Sequence, residues 1–167
     1  PDSACSTSMD ADHLDIYGTS EAIEESFVEF ADKIVDKTHL FITNELPIEG
    51  VICSVNEDAL YKAFNVRVGN GSYIFDVQTP TEVITDLHFG LPGRHNLMNA
   101  LMAIAMANLF GTPTVAIAKA IASFKGIKRR FSYQIKTESK VYIDDYAHHP
   151  TEINAVYQAV RELYPGQ

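Results

Sequence analysis

The stretch Val141-Tyr142-Ile143-Asp144-Asp145-Tyr146-Ala147-His148-His149-Pro150-Thr151-Glu152 decides the fold class. Val141–Asp144 reads as an apolar strand. A helix starts at Pro150 or Thr151 and runs to about Tyr164, with Ile153, Val156, Val160 and Leu163 on one side. A strand that feeds a helix through a polar loop is a βα unit, and open α/β sheets bind ligands where such strands end. An acid placed there suits ribose hydroxyls. The neighbouring His148 and His149 could instead bind zinc, but no third ligand at convincing spacing accompanies them.

Upstream, Lys136-Thr137-Glu138-Ser139-Lys140 is polar and lacks periodicity, which places a boundary there, after a strand over residues 131–137. Before that strand comes Phe124-Lys125-Gly126-Ile127-Lys128-Arg129-Arg130-Phe131, the dense basic cluster of an otherwise acidic chain. A guanidinium donates two parallel hydrogen bonds to a phosphate, and an Arg pinned beside Phe131 is less free than one on an open helix. A solvated basic face is the plainer alternative.

Further upstream stands Gly90-Leu91-Pro92-Gly93-Arg94-His95-Asn96-Leu97-Met98-Asn99. Glycines let the backbone approach a ligand, and the start of the following helix (Asn96–Phe110) presents free N–H groups. Asn96 and Asn99 share a face there. A carboxamide offers the donor and acceptor that match the N6/N7 edge of adenine. The alternative is that Asn96 caps the helix and Asn99 faces solvent. Pro113 opens the next helix, which ends near Phe124.

The first half of the chain reads as a strand over residues 3–9, then the turn Asp10-Ala11-Asp12-His13-Leu14-Asp15. A helix follows from an N-cap at Ser20, burying Ile23, Phe27, Phe30, Ala31 and Ile34. His39–Thr43 and Val51–Ser54 read as short buried strands. Asn65–Val68 and Ser72–Val77 flank Gly69-Asn70-Gly71, a hairpin signal, and Glu82–Phe89 adds a third strand. That meander is expected to form a small antiparallel sheet beside the main one. Three acids and an imidazole at a strand end can hold a divalent cation or simply be solvated.

The 167 residues suffice for one core, and 46% hydrophobic with 21% charged residues is ordinary for a globular chain. A net charge of -9 argues against a general binder of nucleic acid or of membrane surfaces. Cys5 and Cys53 fit neither a zinc nor a redox motif and read as two buried thiols of a reducing compartment such as the cytoplasm.

Taken in order, SMDADHLDIYGT, FGLPGRHNLMNALMAIAMAN, SFKGIKRRF and DDYAHHPTEI resemble the Mur ligase family, ATP-dependent amide-forming enzymes of bacterial cell-wall synthesis. The resemblance implies that His13 is a magnesium ligand and that Asn96 and Asn99 contact adenine. It implies that Arg130 faces the terminal phosphate as a catalytic group and that Asp145 contacts the ribose. Tyr146 and His148 would approach the incoming amino acid, His148 also with a catalytic role, and His95 and His149 either join the site or shape their loops. The neighbourhood in which several relatives carry a carbamoylated Lys reads Phe27-Val28-Glu29 here. With DDYAHHPTEI, this leans toward the branch joining L-alanine to UDP-N-acetylmuramate through an acyl phosphate, with ATP and Mg2+ as cofactors. The murein tripeptide ligases are the nearest alternative.

No GxxxxGK[ST] sequence occurs, and in the family that phosphate-cradling loop precedes the DHLD segment. The expectation is therefore a fragment, inactive by itself. Residues 1–138 would be the later part of the central ATP-binding domain, a mononucleotide-binding, mostly parallel sheet with helices and the small antiparallel sheet. Residues 139–167 would begin a Rossmann-like C-terminal domain with its first βα unit. Two other classes compete. One is a non-catalytic nucleotide-binding module; the other is a metal-dependent hydrolase using His13, His148 and His149.

Overall fold

The computed structural model describes residues 1–10, 14–69 and 72–164, without the side chains of Leu14 and Asp15. The chain runs β1 (Ala4–Ser6), α1 (Leu14–Tyr17), α2 (Ser20–Asp32), β2 (Leu40–Thr43), β3 (Val51–Val55), β4 (Tyr61–Gly69), β5 (Ser72–Gln78) and β6 (Val83–Phe89). It continues with α3 (Arg94–Leu109), α4 (Thr114–Ser123), β7 (Ser132–Lys136), β8 (Val141–Asp144) and α5 (Pro150–Leu163). Six strands form one sheet in the order β1-β2-β3-β4-β5-β6, and β7 and β8 form a second.

In β2 all four residues, Leu40-Phe41-Ile42-Thr43, are buried. Leu40 and Ile42 join Ala4, Ala31 and Ile34 on one side of the sheet, while Phe41 joins the larger cluster with Tyr61, Phe75, Leu97 and Leu101. Both faces of a parallel strand are covered, so its sequence is continuously apolar instead of alternating. α2 covers the first face. Its N-cap is Thr19, whose hydroxyl accepts from Ala22 N at 3.2 Å, so Ser20 lies one residue inside the helix. Thr19 has the extended backbone that a cap requires (φ -137°, ψ 159°). Of the expected apolar stripe, Ile23, Ala31 and Ile34 are buried and Phe30 is largely exposed.

α3 covers the other face through Leu97, Ala100, Leu101, Ile104 and Ala105, the i, i+3, i+4, i+7, i+8 set of a core-facing helix. Parallel β2 and β3 are joined only by residues 44–50, because both strands are short. The returning chain passes so close to β2 that a Cβ on Gly50 would stand 2.6 Å from the Leu40 carbonyl oxygen.

The meander corrects one expectation. β4, β5 and β6 are antiparallel, but they do not form a separate sheet. β4 pairs in parallel with β3 (Cys53↔Tyr61, Ser54↔Lys62, Val55↔Ala63), so the meander extends the parallel sheet as its far half. The small antiparallel sheet is β7-β8, closed by Thr137 N donating to the Lys140 carbonyl at 2.8 Å. The expected 138/139 boundary thus falls in the turn between two paired strands. The thiols also differ from expectation. Cys53 is buried, and burial raises its pKa to about 12, whereas Cys5, although paired in register with the buried Phe41, is exposed on the edge strand β1.

Candidate functional site

A cleft of about 490 Å³ opens at the carboxyl end of β1, where the parallel half of the sheet meets the start of α3 and the start of α5. Thr7, Ser8 and Asp10 come from the segment after β1. His95, Asn96 and Asn99 come from α3, Arg130 from the loop before β7, Asp145 from the end of β8, and Thr151 and Glu152 from α5. Asn96, Asn99, Arg130 and Asp145 therefore share one wall-to-wall space. A second cavity of about 310 Å³ adjoins it and shares Asn96, Asn99 and Arg130; its other walls are apolar, including Phe89, Leu91, Ala100, Ile121 and Phe124. An apolar slot with carboxamides at its edge, opening into a polar cleft with a guanidinium, offers an aromatic ring burial and an anion a charged donor.

Each wall has its own local cause. Gly93, the N-cap of α3, has φ +96° and supplies no side-chain cap, so the first N–H groups of a sixteen-residue helix are left for a ligand. Asn96 does not cap the helix. Its Nδ2 donates to the Pro92 carbonyl at 2.7 Å, which fixes the carboxamide plane and leaves Oδ1 available. The ring of His95 folds over Gly93, with its Cε1 2.6 Å from where a Cβ would stand. His95 is exposed overall, yet packing around its ring holds its pKa below the ordinary histidine value. The Asp145 charge opposes that shift, Arg130 adds to it, and Glu152 opposes it.

α5 is held against this corner by Ala159, which packs on Gly93, and by the buried Tyr73. The Tyr73 hydroxyl donates to Glu162 and accepts from Gly93 N at 3.0 Å. Burial, followed by the Glu162 bond, raises the Tyr73 pKa well above the ordinary phenol value. The docked helix brings its first turn, and the end of β8, to the mouth of α3.

Arg130 sits between two non-glycine residues with left-handed backbone, Arg129 (φ 62°) and Phe131 (φ 47°). For an aromatic residue this is an uncommon conformation, costing about 1–2 kcal/mol. Phe131 is buried, with its ring edge-on to Tyr133 at 5.8 Å. Arg130 Nη1 lies 3.3 Å from Glu152 Oε1, an ion pair at the cleft edge. Glu152 is the site residue that reading motifs missed. It accepts from the N–H of His148, the residue before the N-cap, at 3.2 Å, and that bond, then the Arg130 bond, hold its pKa below the usual carboxylate value. Its position three residues after the N-cap His149 was the available signal.

Tyr146 and His148 are not brought to the cleft wall. Asp145 Oδ1 accepts from Ala147 N at 2.8 Å, and His148 Nδ1 lies 3.5 Å from Glu152 Oε2. The Tyr146 ring lies beneath the Arg129 guanidinium (4.6 Å) and beside the His148 ring (5.0 Å). His148 Nδ1 is 3.0 Å from the Tyr146 carbonyl oxygen. His149 is the N-cap of α5 without a side-chain cap bond. His13, the expected magnesium ligand, lies outside the described residues. Among the described residues no three His, Cys, Asp or Glu side chains gather at one point.

Residues 1–107 match the family described as the Mur ligase middle domain. The chain belongs to the Mur ligase family. It is 75% identical over its whole length to the UDP-N-acetylmuramate–L-alanine ligase of Flavobacterium johnsoniae and 66% identical to that of Flavobacterium psychrophilum, in each case spanning 37% of the relative. Among solved structures, it resembles the UDP-N-acetylmuramate-alanine ligase MurC of Thermotoga maritima. There the TM-score is 0.76 at 25% identity, covering 94% of this chain and 37% of that one. MurF of Acinetobacter baumannii shares the fold, with a TM-score of 0.77 at 22% identity over 93% of this chain and 37% of that one. No described helix of this Mur ligase segment is long and apolar enough to cross a membrane.

Proposed function

We propose that this chain is the nucleotide-holding segment of an ATP-dependent ligase that joins L-alanine to UDP-N-acetylmuramate in the cytoplasm. The observation that carries the reading is the convergence of Asn96, Asn99, Arg130 and Asp145, from separate segments, on one cleft backed by an apolar slot. The family match and the 75% identical L-alanine ligase support the reaction class.

In this reading the slot takes adenine. Asn96, oriented by Pro92, and Asn99 read its edge, and the polar cleft carries the ribose and phosphates. ATP supplies the activated phosphoryl group, which the muramate carboxylate takes to become an acyl phosphate; the amine of L-alanine then displaces phosphate. Phosphoryl transfer asks the protein mainly for position and neutralised charge. Arg130 supplies the charge, and the open N-termini of α3 and α5 face the same anions. Mg2+ belongs to the proposal through His13. Asp10 is an acid the cleft itself presents to such an ion. In this reading residues 1–138 belong to the central ATP-binding domain and residues 139–167 begin the C-terminal one, with Tyr146 and His148 on its amino-acid side.

The test is a segment exchange. Residues 1–167 replace the matching segment of the Flavobacterium johnsoniae ligase, and ADP formation is measured with UDP-N-acetylmuramate and either L-alanine or the tripeptide. L-Alanine-dependent turnover is the expected result. Turnover with the tripeptide alone moves the chain to the recycling branch, and no turnover with either refutes the ligase reading.

A further inference from the structure

Both carboxylate oxygens of Asp145 are engaged by the chain itself: Oδ2 accepts from Phe131 N at 2.7 Å and Oδ1 from Ala147 N at 2.8 Å. The first of these bonds crosses to the residue after Arg130. Arg129, the residue before it, is tied to the junction too: its carbonyl accepts from Tyr146 N at 2.8 Å and its guanidinium lies on the Tyr146 ring. Arg130 N in turn donates to the Ile127 carbonyl at 3.0 Å. Arg130 is thus flanked by two left-handed residues, and each is tied across to the Asp145-Tyr146 pair. Strained backbone persists only where its surroundings over-determine it, and such strain gathers at functional groups.

The geometry points to Asp145 as a positioning residue for Arg130, beyond the ribose contact expected of it. Its carboxylate holds the Phe131 amide, Phe131 is anchored in the core, and the guanidinium of Arg130 is thereby presented to the cleft. Asn cannot replace it fully, since an amide has one acceptor oxygen for two N–H donors. This inference rests on the ligase reading for its catalytic consequence, but the ordering of residues 129–131 does not.

The experiment has two arms. In the chain itself, amide order parameters of residues 129–131 are measured by NMR for the unsubstituted protein and for Asp145→Asn. Values near about 0.85 falling below about 0.6, with α3 unchanged, are expected. In the segment-exchanged ligase, Asp145→Asn lowers kcat about 10- to 100-fold, as a displaced catalytic group does. The loss is the same with ATP and 2′-deoxy-ATP, and Asp145→Asn/Arg130→Gln is no slower than Arg130→Gln alone. Unchanged order at residues 129–131, multiplying losses in the double variant, or a loss that vanishes with the deoxynucleotide each overturn the inference. An unsubstituted exchange enzyme without turnover sinks the ligase reading, and the order parameters then still decide the placement of Arg130.

Discussion

The two sides of the cleft are held by different physics. On the α3 side, the carboxamides ride on a helix whose Leu97, Leu101 and Ala105 are wholly buried against β2, β3 and β4. On the facing side, Arg130 and Asp145 sit on partly exposed segments tied by a few hydrogen bonds, an ion pair and an Arg–Tyr stack over strained backbone. The carboxamide wall is set by close packing, while the Arg130 wall depends on polar contacts whose loss shifts a group without unfolding the domain.

That contrast can be broken from the packed side first. Leu101→Ala removes a fully buried side chain and should cost about 2–5 kcal/mol, read as a lower denaturant midpoint for the whole chain. Arg130→Gln should leave that midpoint nearly unchanged yet lower kcat of the segment-exchanged ligase about 10²- to 10³-fold, as loss of one charged donor at a developing anion does. A comparable loss of stability would erase the distinction between the walls. Asn96→Ala should weaken nucleotide affinity about 10-fold, the worth of one hydrogen bond, in calorimetric titration with ATP. A GTP affinity unaffected by the substitution would place the lost contact on adenine.

The smallest effect concerns pH. The carboxyl of Glu152 titrates below its unfolded value because of the His148 N and Arg130 bonds. Its contribution to stability is therefore present above the ordinary carboxylate pKa and is lost as pH falls through the lowered folded value. Thermal melts of the unsubstituted chain and of Glu152→Gln should converge on acidification and differ most near neutrality. A gap that widens toward acid would contradict the assigned direction.

Much of the cleft was legible because its parts carry local signals. Gly93 marks a helix mouth, Asn96 and Asn99 a shared face, and the apolar strand before Asp145 a βα junction. The meander misled because a hairpin signal such as Gly69-Asn70-Gly71 reports that two strands pair with each other. It does not report that β4 also pairs with β3. Cys5 misled because burial on an edge strand depends on whether a distant segment covers that edge. Glu152 escaped notice because its value lies in Arg130, a partner 22 residues away.

The order of residues alone determined the elements, the basic and carboxamide motifs, and the family, since helix period, turn chemistry and motif spacing are properties of neighbouring residues. Only the tertiary structure decided that the meander continues the parallel sheet, that Asp145 spends both oxygens on the backbone, and that Tyr146 and His148 stand outside the cleft lining. Those outcomes depend on contacts between distant segments, whose free energies are settled by packing and hydrogen-bond satisfaction across the whole chain and by no stretch read in isolation.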